Sequence, residues 1–271
     1  MEEHIKTDII ELKVGNNTEN NVLNITNFNV WISDNHILNN IRLTIPKNKI
    51  TCIIGPSGSG KSTLIRSINR INDDVEKLTV TGKIEFNGLN IYDKKTDIAQ
   101  LRSEIGMVFQ KPCVFPKSIS KNVLFGIQHQ QKINKIDAFN IVENNLRAVS
   151  LWKEVSHRLN DKAVSLSVGQ QQRLCIARTL ALKPKLILMD EPTSSLDPVS
   201  TRSIEKMLLE LKKSYSIVFV THNIQQAKRL ADKLLFICDG EIIEQGPAEK
   251  LFNNPDNNKT RAYLNDEYCD C

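Results

Sequence analysis

An α/β fold organised on a parallel sheet is what this sequence predicts, and three observations predict it. A short apolar run, Ile50-Thr51-Cys52-Ile53-Ile54, leads straight into a glycine-rich turn and then a helix-forming stretch. In the second half, short aliphatic runs alternate with amphipathic helical ones, the pattern of strand, crossover helix and strand. The third is size: 271 residues with 40% hydrophobic content can bury a core large enough for one large domain, alone or with a subdomain.

In chain order, residues 1–21 are polar and Asn-rich and read as a loose leader. Strand-like runs follow at 22–25, 40–45 and 49–54, with Pro46 and Asn48 as punctuation. Residues 62–71 predict a helix, and 80–86 a strand that enters a hairpin turn at Asn87-Gly88. Beyond Gln110 the character changes. Ile136, Phe139, Val142, Leu146 and Val149 recur at helical spacing over 135–150, and little before Leu166 resembles a strand, so a helical insert is expected at about 111–168. The alternation then runs helix 170–182, strand 185–189, helix 200–213, strand 216–221, helix 224–231. In the second of these helices Ile204, Met207, Leu208 and Leu211 share one face. A hairpin at Asp239-Gly240 completes the core, and 265–271 reads as a tail.

Charge and cysteine usage narrow the functional class. The net charge of +5 comes from 36 basic and 31 acidic residues that are interspersed, which argues against a nucleic-acid partner. No apolar run approaches the ~18 residues of a membrane span, and Met1-Glu2-Glu3-His4 lacks the pattern of a signal peptide, so a cytosolic protein is expected. Cys52, Cys175 and Cys238 lie in apolar segments and read as buried thiols. Cys269 and Cys271, in the tail, make no convincing metal site.

The chemistry begins with Gly55-Pro56-Ser57-Gly58-Ser59-Gly60-Lys61-Ser62-Thr63, which fits the phosphate-binding P-loop. Glycines let the backbone curl so that its N–H groups face phosphate oxygens, and a helix N-terminus adds its dipole. The bare pattern would arise by chance in roughly one such chain in a hundred, and the flanking strand and helix lower that figure sharply. Lys61 is assigned to the β- and γ-phosphates of a nucleotide and the Ser62 hydroxyl to Mg²⁺. A second metal anchor is then required, and Asp190 supplies it at the end of the aliphatic run 186–189. Glu191, one residue on, is placed to polarise an attacking water as general base.

A GTPase is the nearest rival, because Asn134-Lys135-Ile136-Asp137 matches a guanine-reading pattern. That motif should follow a buried strand, yet Gln128-His129-Gln130-Gln131-Lys132 precedes it, and no Asp-x-x-Gly occurs. Asp137 reads better as a helix cap. A nucleoside kinase also fits the P-loop but leaves Leu166-Ser167-Val168-Gly169-Gln170-Gln171-Gln172-Arg173 unexplained. A small polar residue and a glycine opening a long helix make a second potential anion site.

With that segment the sequence resembles the nucleotide-binding subunits of ABC transporters, whose signature L-S-G-G-Q closes over ATP held by a partner's P-loop. The resemblance covers about residues 22–264. It implies a P-loop NTPase core of ABC ATPase type with an antiparallel β subdomain and a helical subdomain insert, ATP and Mg²⁺ as cofactors, and a second copy of the chain completing an ATP sandwich. Ser167, Gly169 and Gln170 match the signature, with Val168 in place of its first glycine. Gln110 resembles the Q-loop glutamine that senses Mg²⁺, Asp197 in Ser194-Ser195-Leu196-Asp197 the D-loop aspartate, and His222 the switch histidine at the γ-phosphate. Trp31 stands one residue before the family's adenine-stacking aromatic, where Ile32 and Ser33 replace the usual pair.

The stretch Gly106-Met107-Val108-Phe109-Gln110-Lys111-Pro112-Cys113-Val114-Phe115-Pro116-Lys117-Ser118-Ile119 resembles the Q-loop of the phosphate-import branch, apart from Val114 in place of its third proline. The runs 162–166, 170–178, 196–201 and 221–227 look like the same branch. The resemblance implies an ATPase on the cytoplasmic face of the cell membrane, working with two permease subunits and an extracytoplasmic phosphate-binding protein. Another ABC importer, or a soluble regulatory ATPase of the same type, is the alternative it leaves.

Overall fold

The computed structural model describes residues 20–265 and 267, so the expectations for most of the leader and tail, Cys269 and Cys271 included, lie outside the described residues. The chain opens with a long hairpin, β1 (Asn21–Ile32) and β2 (Asn35–Pro46), then runs through β3 (Ile50–Ile54), helix α1 (Lys61–Ile68), β4 (Leu78–Phe86) and a short β5 (Leu89–Asn90). Helix α2 (Ile98–Glu104) feeds β6 (Ile105–Val108), and three helices follow without a strand: α3 (Ile119–Gln130), α4 (Lys135–Ala148) and α5 (Trp152–Val155). The alternation α6 (Val168–Leu180), β7 (Leu186–Asp190), α7 (Pro198–Leu211), β8 (Ser216–Val220), α8 (Ile224–Leu230), β9 (Lys233–Cys238) comes next. The chain then turns through β10 (Glu241–Pro247) into α9 (Ala248–Asn253) and α10 (Asn258–Leu264).

Two sheets result. β2-β1-β4-β5 is antiparallel, whereas β10-β9-β3-β8-β7-β6 is parallel except for β10, which pairs antiparallel at the edge. Every residue of β3, β7 and β8 is buried, as expected of a parallel sheet covered on both faces. The strand period of two divides these residues between two cores. Ile187, Met189, Ile217 and Phe219 pack against the helices α3 to α8, while Leu186, Leu188, Val218 and Val220 pack with α1 against the antiparallel sheet. The parallel strands' carboxyl ends, where ligands of open α/β sheets bind, therefore lie between two well-filled layers.

Four expectations need correction. The β1/β2 hairpin is far longer than the runs 22–25 and 40–45, because asparagines interrupt the alternation: Asn27 and Asn40 adopt left-handed φ of 50° and 47° near register shifts. Asn20 and Asn21 join the fold, Asn21 as the first residue of β1, where a leader was expected. The cap of α4 is Asn134, whose side chain accepts from the Asp137 backbone N–H at 2.8 Å; Asp137 sits inside the first turn, and its Oδ2 accepts from Asn134 Nδ2 at 2.7 Å. Cys52 and Cys175 are buried free thiols, but Cys238, also buried, is disulfide-bonded.

Candidate active site

The loop between β3 and α1 is shaped by what a side chain would strike. A Cβ on Gly55 would lie 2.0 Å from the carbonyl oxygen of Ile237 on β9, and one on Gly60 (φ 96°) 2.7 Å from Leu38 Cδ2 on β2. These two glycines let the loop lie flat against both sheets. Gly60 is also the N-cap of α1 and makes no side-chain cap bond, so side chains leave that end free for an anion. The tip at Ser57 and Gly58 is exposed.

Lys61 folds back across this loop, its Nζ donating to the carbonyls of Gly55 (2.9 Å) and Pro56 (2.6 Å). Burial lowers its pKa from the usual lysine value, while the carboxylates of Glu191 and Asp190 push it back up. The Ser59 hydroxyl is buried without a hydrogen-bond partner, and the Thr63 carbonyl takes the Ser67 hydroxyl and the Asn72 amide.

Two strand ends bring the acidic residues to the loop. Asp190, the last residue of β7, accepts from Ser62 Oγ at 2.9 Å and pairs through Oδ2 with Arg66 Nη2 at 3.1 Å. Arg66 escaped the sequence reading, although its place one turn after Ser62 on α1 was available as a signal. Glu191 leaves the strand with a left-handed φ of 46° and sets Oε2 3.0 Å from His222 Nδ1, beyond the end of β8. Its N–H donates to Val220 O at 3.1 Å, and Gln110 joins the same edge, its Nε2 donating to Ser194 Oγ at 3.1 Å.

Behind Glu191 and His222 lies a buried polar chain of Thr193, Thr221, Gln226 and Glu205 that the sequence did not announce, since its members come from four separate segments. It borders a groove of about 720 Å³ between α7 and α8, lined in part by Glu191, His222 and Arg229.

The remaining predicted residues lie elsewhere. Ser167 caps α6 in a reciprocal box with Gln170: its hydroxyl accepts from the Gln170 N–H at 3.4 Å and its own N–H donates to Gln170 Oε1 at 3.0 Å. Gln170 Nε2 donates onward to Glu154 Oε2 at 2.8 Å. A Cβ on Gly169 would lie 2.7 Å from Ser200 Oγ on α7, so glycine is what lets the two helix starts touch. Val168 points outward, 49% exposed. Asp197 caps α7, accepting from the N–H groups of Val199 and Ser200 at 2.9 Å each. Hydrogen bonds from Ser200, and from the Val199 backbone, hold its carboxyl below the ordinary aspartate value. These hydrogen bonds join none of Ser167, Gln170 or Asp197 to residues 55–63.

Trp31 stacks on His36 across the β1/β2 hairpin, ring centroids 4.4 Å apart and planes 9° from parallel. From His36 the strand continues to Leu38, whose Cδ2 a Cβ on Gly60 would meet at 2.7 Å.

Residues 38–194 match the family model described as ABC transporter. The chain is 48% identical over 91% of its length to the phosphate import ATP-binding protein PstB 1 of Lactococcus lactis, covering 98% of that protein. It is 46% identical to the phosphate import ATP-binding protein PstB 2 of Shouchella clausii, over 97% of each. Among solved structures, cbiO1 of Clostridium perfringens, part of the ABC transporter complex cbiONQ, superposes with a TM-score of 0.76 at 31% identity, over 90% of this chain and 95% of that one. A bacterial Atm1-family ABC exporter with ATP bound gives the same TM-score at 22% identity, over 91% of this chain and 42% of its own, and speaks for the fold alone.

Proposed function

This chain belongs to the ABC transporter ATPases, and from that premise we propose that it is the ATP-hydrolysing subunit of an importer that carries inorganic phosphate across the cell membrane. The observation that carries the reading is identity of 46–48% to phosphate import ATP-binding proteins over more than nine-tenths of the chain. No helix among the described residues is long and apolar enough to cross a membrane, and in this reading the solute passes through permease subunits. In this reading there are two of them, served by an extracytoplasmic phosphate-binding protein, and the ATPase docks on their cytoplasmic side.

The donor set suits Mg²⁺. The Ser62 hydroxyl and the Asp190 carboxylate are hard oxygen ligands that converge from α1 and β7 to 2.9 Å of each other. Bound there with ATP, the ion would neutralise charge on the β- and γ-phosphates. Lys61 exchanges its two carbonyl partners for phosphate oxygens, and the backbone N–H groups of residues 57–63 cradle the chain of phosphates. Trp31 is the residue we assign to the adenine face.

Glu191 accepts a proton from the attacking water as general base. His222, 3.0 Å from that carboxylate, orients it and reaches the γ-phosphate. Gln110, tied to Ser194 next to Glu191, reports nucleotide occupancy to the loop that follows it. Ser167, Gly169, Gln170 and Asp197 act on nucleotide held by a second copy, since their hydrogen bonds do not reach their own chain's loop.

Coupling to the membrane subunits runs through Phe115. Its ring is half-buried, 4.1 Å from that of Phe125 and under the Arg178 guanidinium at 4.5 Å, and its backbone N–H donates to Asn122 Oδ1 at 2.9 Å. That makes a firm apolar anchor five residues beyond Gln110. Phe115→Ala should abolish transport while most basal ATPase activity survives; equal loss of both would contradict the docking role.

The function itself is tested by uptake of radiolabelled phosphate, with arsenate and sulfate as competitors, in cells that depend on this protein or on its Lys61→Ala form. The expected result is high-affinity phosphate uptake that disappears with Lys61. Unchanged phosphate uptake, with other routes removed, would transfer the assignment to another solute.

A further inference from the structure

The Glu191 side chain is delivered by a backbone conformation that L-residues rarely adopt, φ 46°, and such a conformation persists only where its surroundings over-determine it. Two of the restraints are local: the Glu191 N–H donates to Val220 O at 3.1 Å, and the Ser194 N–H closes on Glu191 O at 3.2 Å. The third comes from α8. The Gln226 side chain, 2% exposed, donates through Nε2 to Glu205 Oε1 at 3.1 Å. An ionised carboxylate only accepts, so this bond fixes the amide's orientation. Its oxygen then faces the Thr221 hydroxyl, which donates to it at 2.9 Å, and the Thr193 hydroxyl rests against both amide atoms at 3.2 and 3.1 Å.

Thr193 is two residues after Glu191 and Thr221 is one before His222. One amide therefore holds both loops that carry the Glu191–His222 pair. The amide is itself immobilised. Glu205 takes two bonds from Arg229, at 2.9 and 2.7 Å, and the Gln226 backbone N–H donates to Asn223 Oδ1 at 2.9 Å in the first turn of α8. Burial works against the charge on Glu205, but the bonds from Arg229 and Gln226 prevail and keep its carboxyl below the usual glutamate value.

We propose that Gln226 is a positioning residue for hydrolysis: its buried amide staples the loop after β7 to the loop after β8 and so keeps the Glu191 carboxylate aimed at the water it activates. The proposal rests on the reading of Glu191 as the base. The hydrogen bonds of Gln226 reach Thr193, Thr221, Asn223 and Glu205 and no residue of the phosphate loop, so the staple governs the chemical step and not nucleotide binding.

The test is ATP turnover and nucleotide affinity of the full chain carrying Gln226→Ala, Thr193→Val or Thr193→Ser, each also combined with Glu191→Gln. Gln226→Ala and Thr193→Val should lower kcat on the order of 10- to 100-fold with KM for ATP unchanged within about twofold, the pattern of a lost transition-state alignment. Thr193→Ser, which retains the hydroxyl, should turn over near the parent rate. In the Glu191→Gln background Gln226→Ala should cost nothing further, because it acts through that carboxylate. A general packing role would instead raise KM, or lower kcat by the same factor in both backgrounds, and either result overturns the proposal. Should Gln226→Ala fail to bind a fluorescent ATP analogue, the Thr193 pair decides alone: equal rates for its valine and serine forms refute the staple. Turnover of Glu191→Gln itself at the parent rate would refute the base assignment, a failure distinct from that of Gln226.

Discussion

The loop at the end of β3 and the tip of α6 are both glycine-containing helix starts, yet they are finished to different degrees. At the first, the chain's own strands pair Ser62 with Asp190, Glu191 with His222 and Gln110 with Ser194, all by hydrogen bonds at adjoining strand ends. At the second, Ser167 and Gln170 satisfy each other, Glu154 takes the spare amide, and Val168 faces outward. On the proposed function, a helix end that is capped, exposed and not hydrogen-bonded to its own chain's phosphate loop serves as a half-site. The difference teaches, on that proposal, how one fold can complete its catalytic group internally while leaving the counterpart for another molecule to use.

The largest effect that bears on this contrast belongs to the finished half. Glu191→Gln should reduce the ATP turnover number by about 10²- to 10⁴-fold, the usual range for a lost general base. Affinity for ATP should persist, since Lys61 and the loop are untouched. Single-turnover hydrolysis measures it, and a rate near that of the parent protein would remove Glu191 from the mechanism.

A smaller effect is expected at the tip. Ser167→Ala breaks the reciprocal cap and should cost about 1 kcal/mol of stability, read as a fall in Tm of roughly 2–4 °C for a domain of this size. Nucleotide affinity of the isolated chain should not change, because Ser167 does not bond to its own phosphate loop. A weakened ATP affinity in dilute monomer would break the comparison.

The smallest effect is expected at Val168. Being 49% exposed at the first position of α6, it fills no space that its own chain needs. Val168→Gly should alter stability by no more than about 0.5 kcal/mol, and turnover by about twofold. A large gain in turnover would mean that the branched side chain obstructs closure against the partner and would favour a slow regulatory ATPase.

How much of this was legible in the sequence follows the distance over which each contact acts. The position of the glycine loop between β3 and α1, and of Asp190 and Glu191 at the end of β7, could be read because each lies in a contiguous run. The 3.6-residue period announced α4 and α7, and Asn87-Gly88 and Asp239-Gly240 announced their turns, all with left-handed φ. The reading failed where the deciding partner is far along the chain. Gln226 looks like any helix-surface glutamine until α8 places it against Thr193 and Glu205. Gly169 could be matched to a motif, but its physical reason, the Ser200 hydroxyl, lies on another helix. Strand lengths in β1 and β2 were hidden because asparagines that look like turn residues occupy bulges within them.

The most direct test of the half-site account is the mass of the Glu191→Gln protein in solution, with and without ATP, together with the nucleotide it retains. The account predicts a monomer without nucleotide and, with ATP, a dimer holding two ATP per pair, a dimer that Ser167→Arg prevents by placing a bulky side chain at the tip of α6. A parent protein that hydrolyses ATP at full rate at every concentration while Glu191→Gln stays monomeric with ATP bound would contradict it.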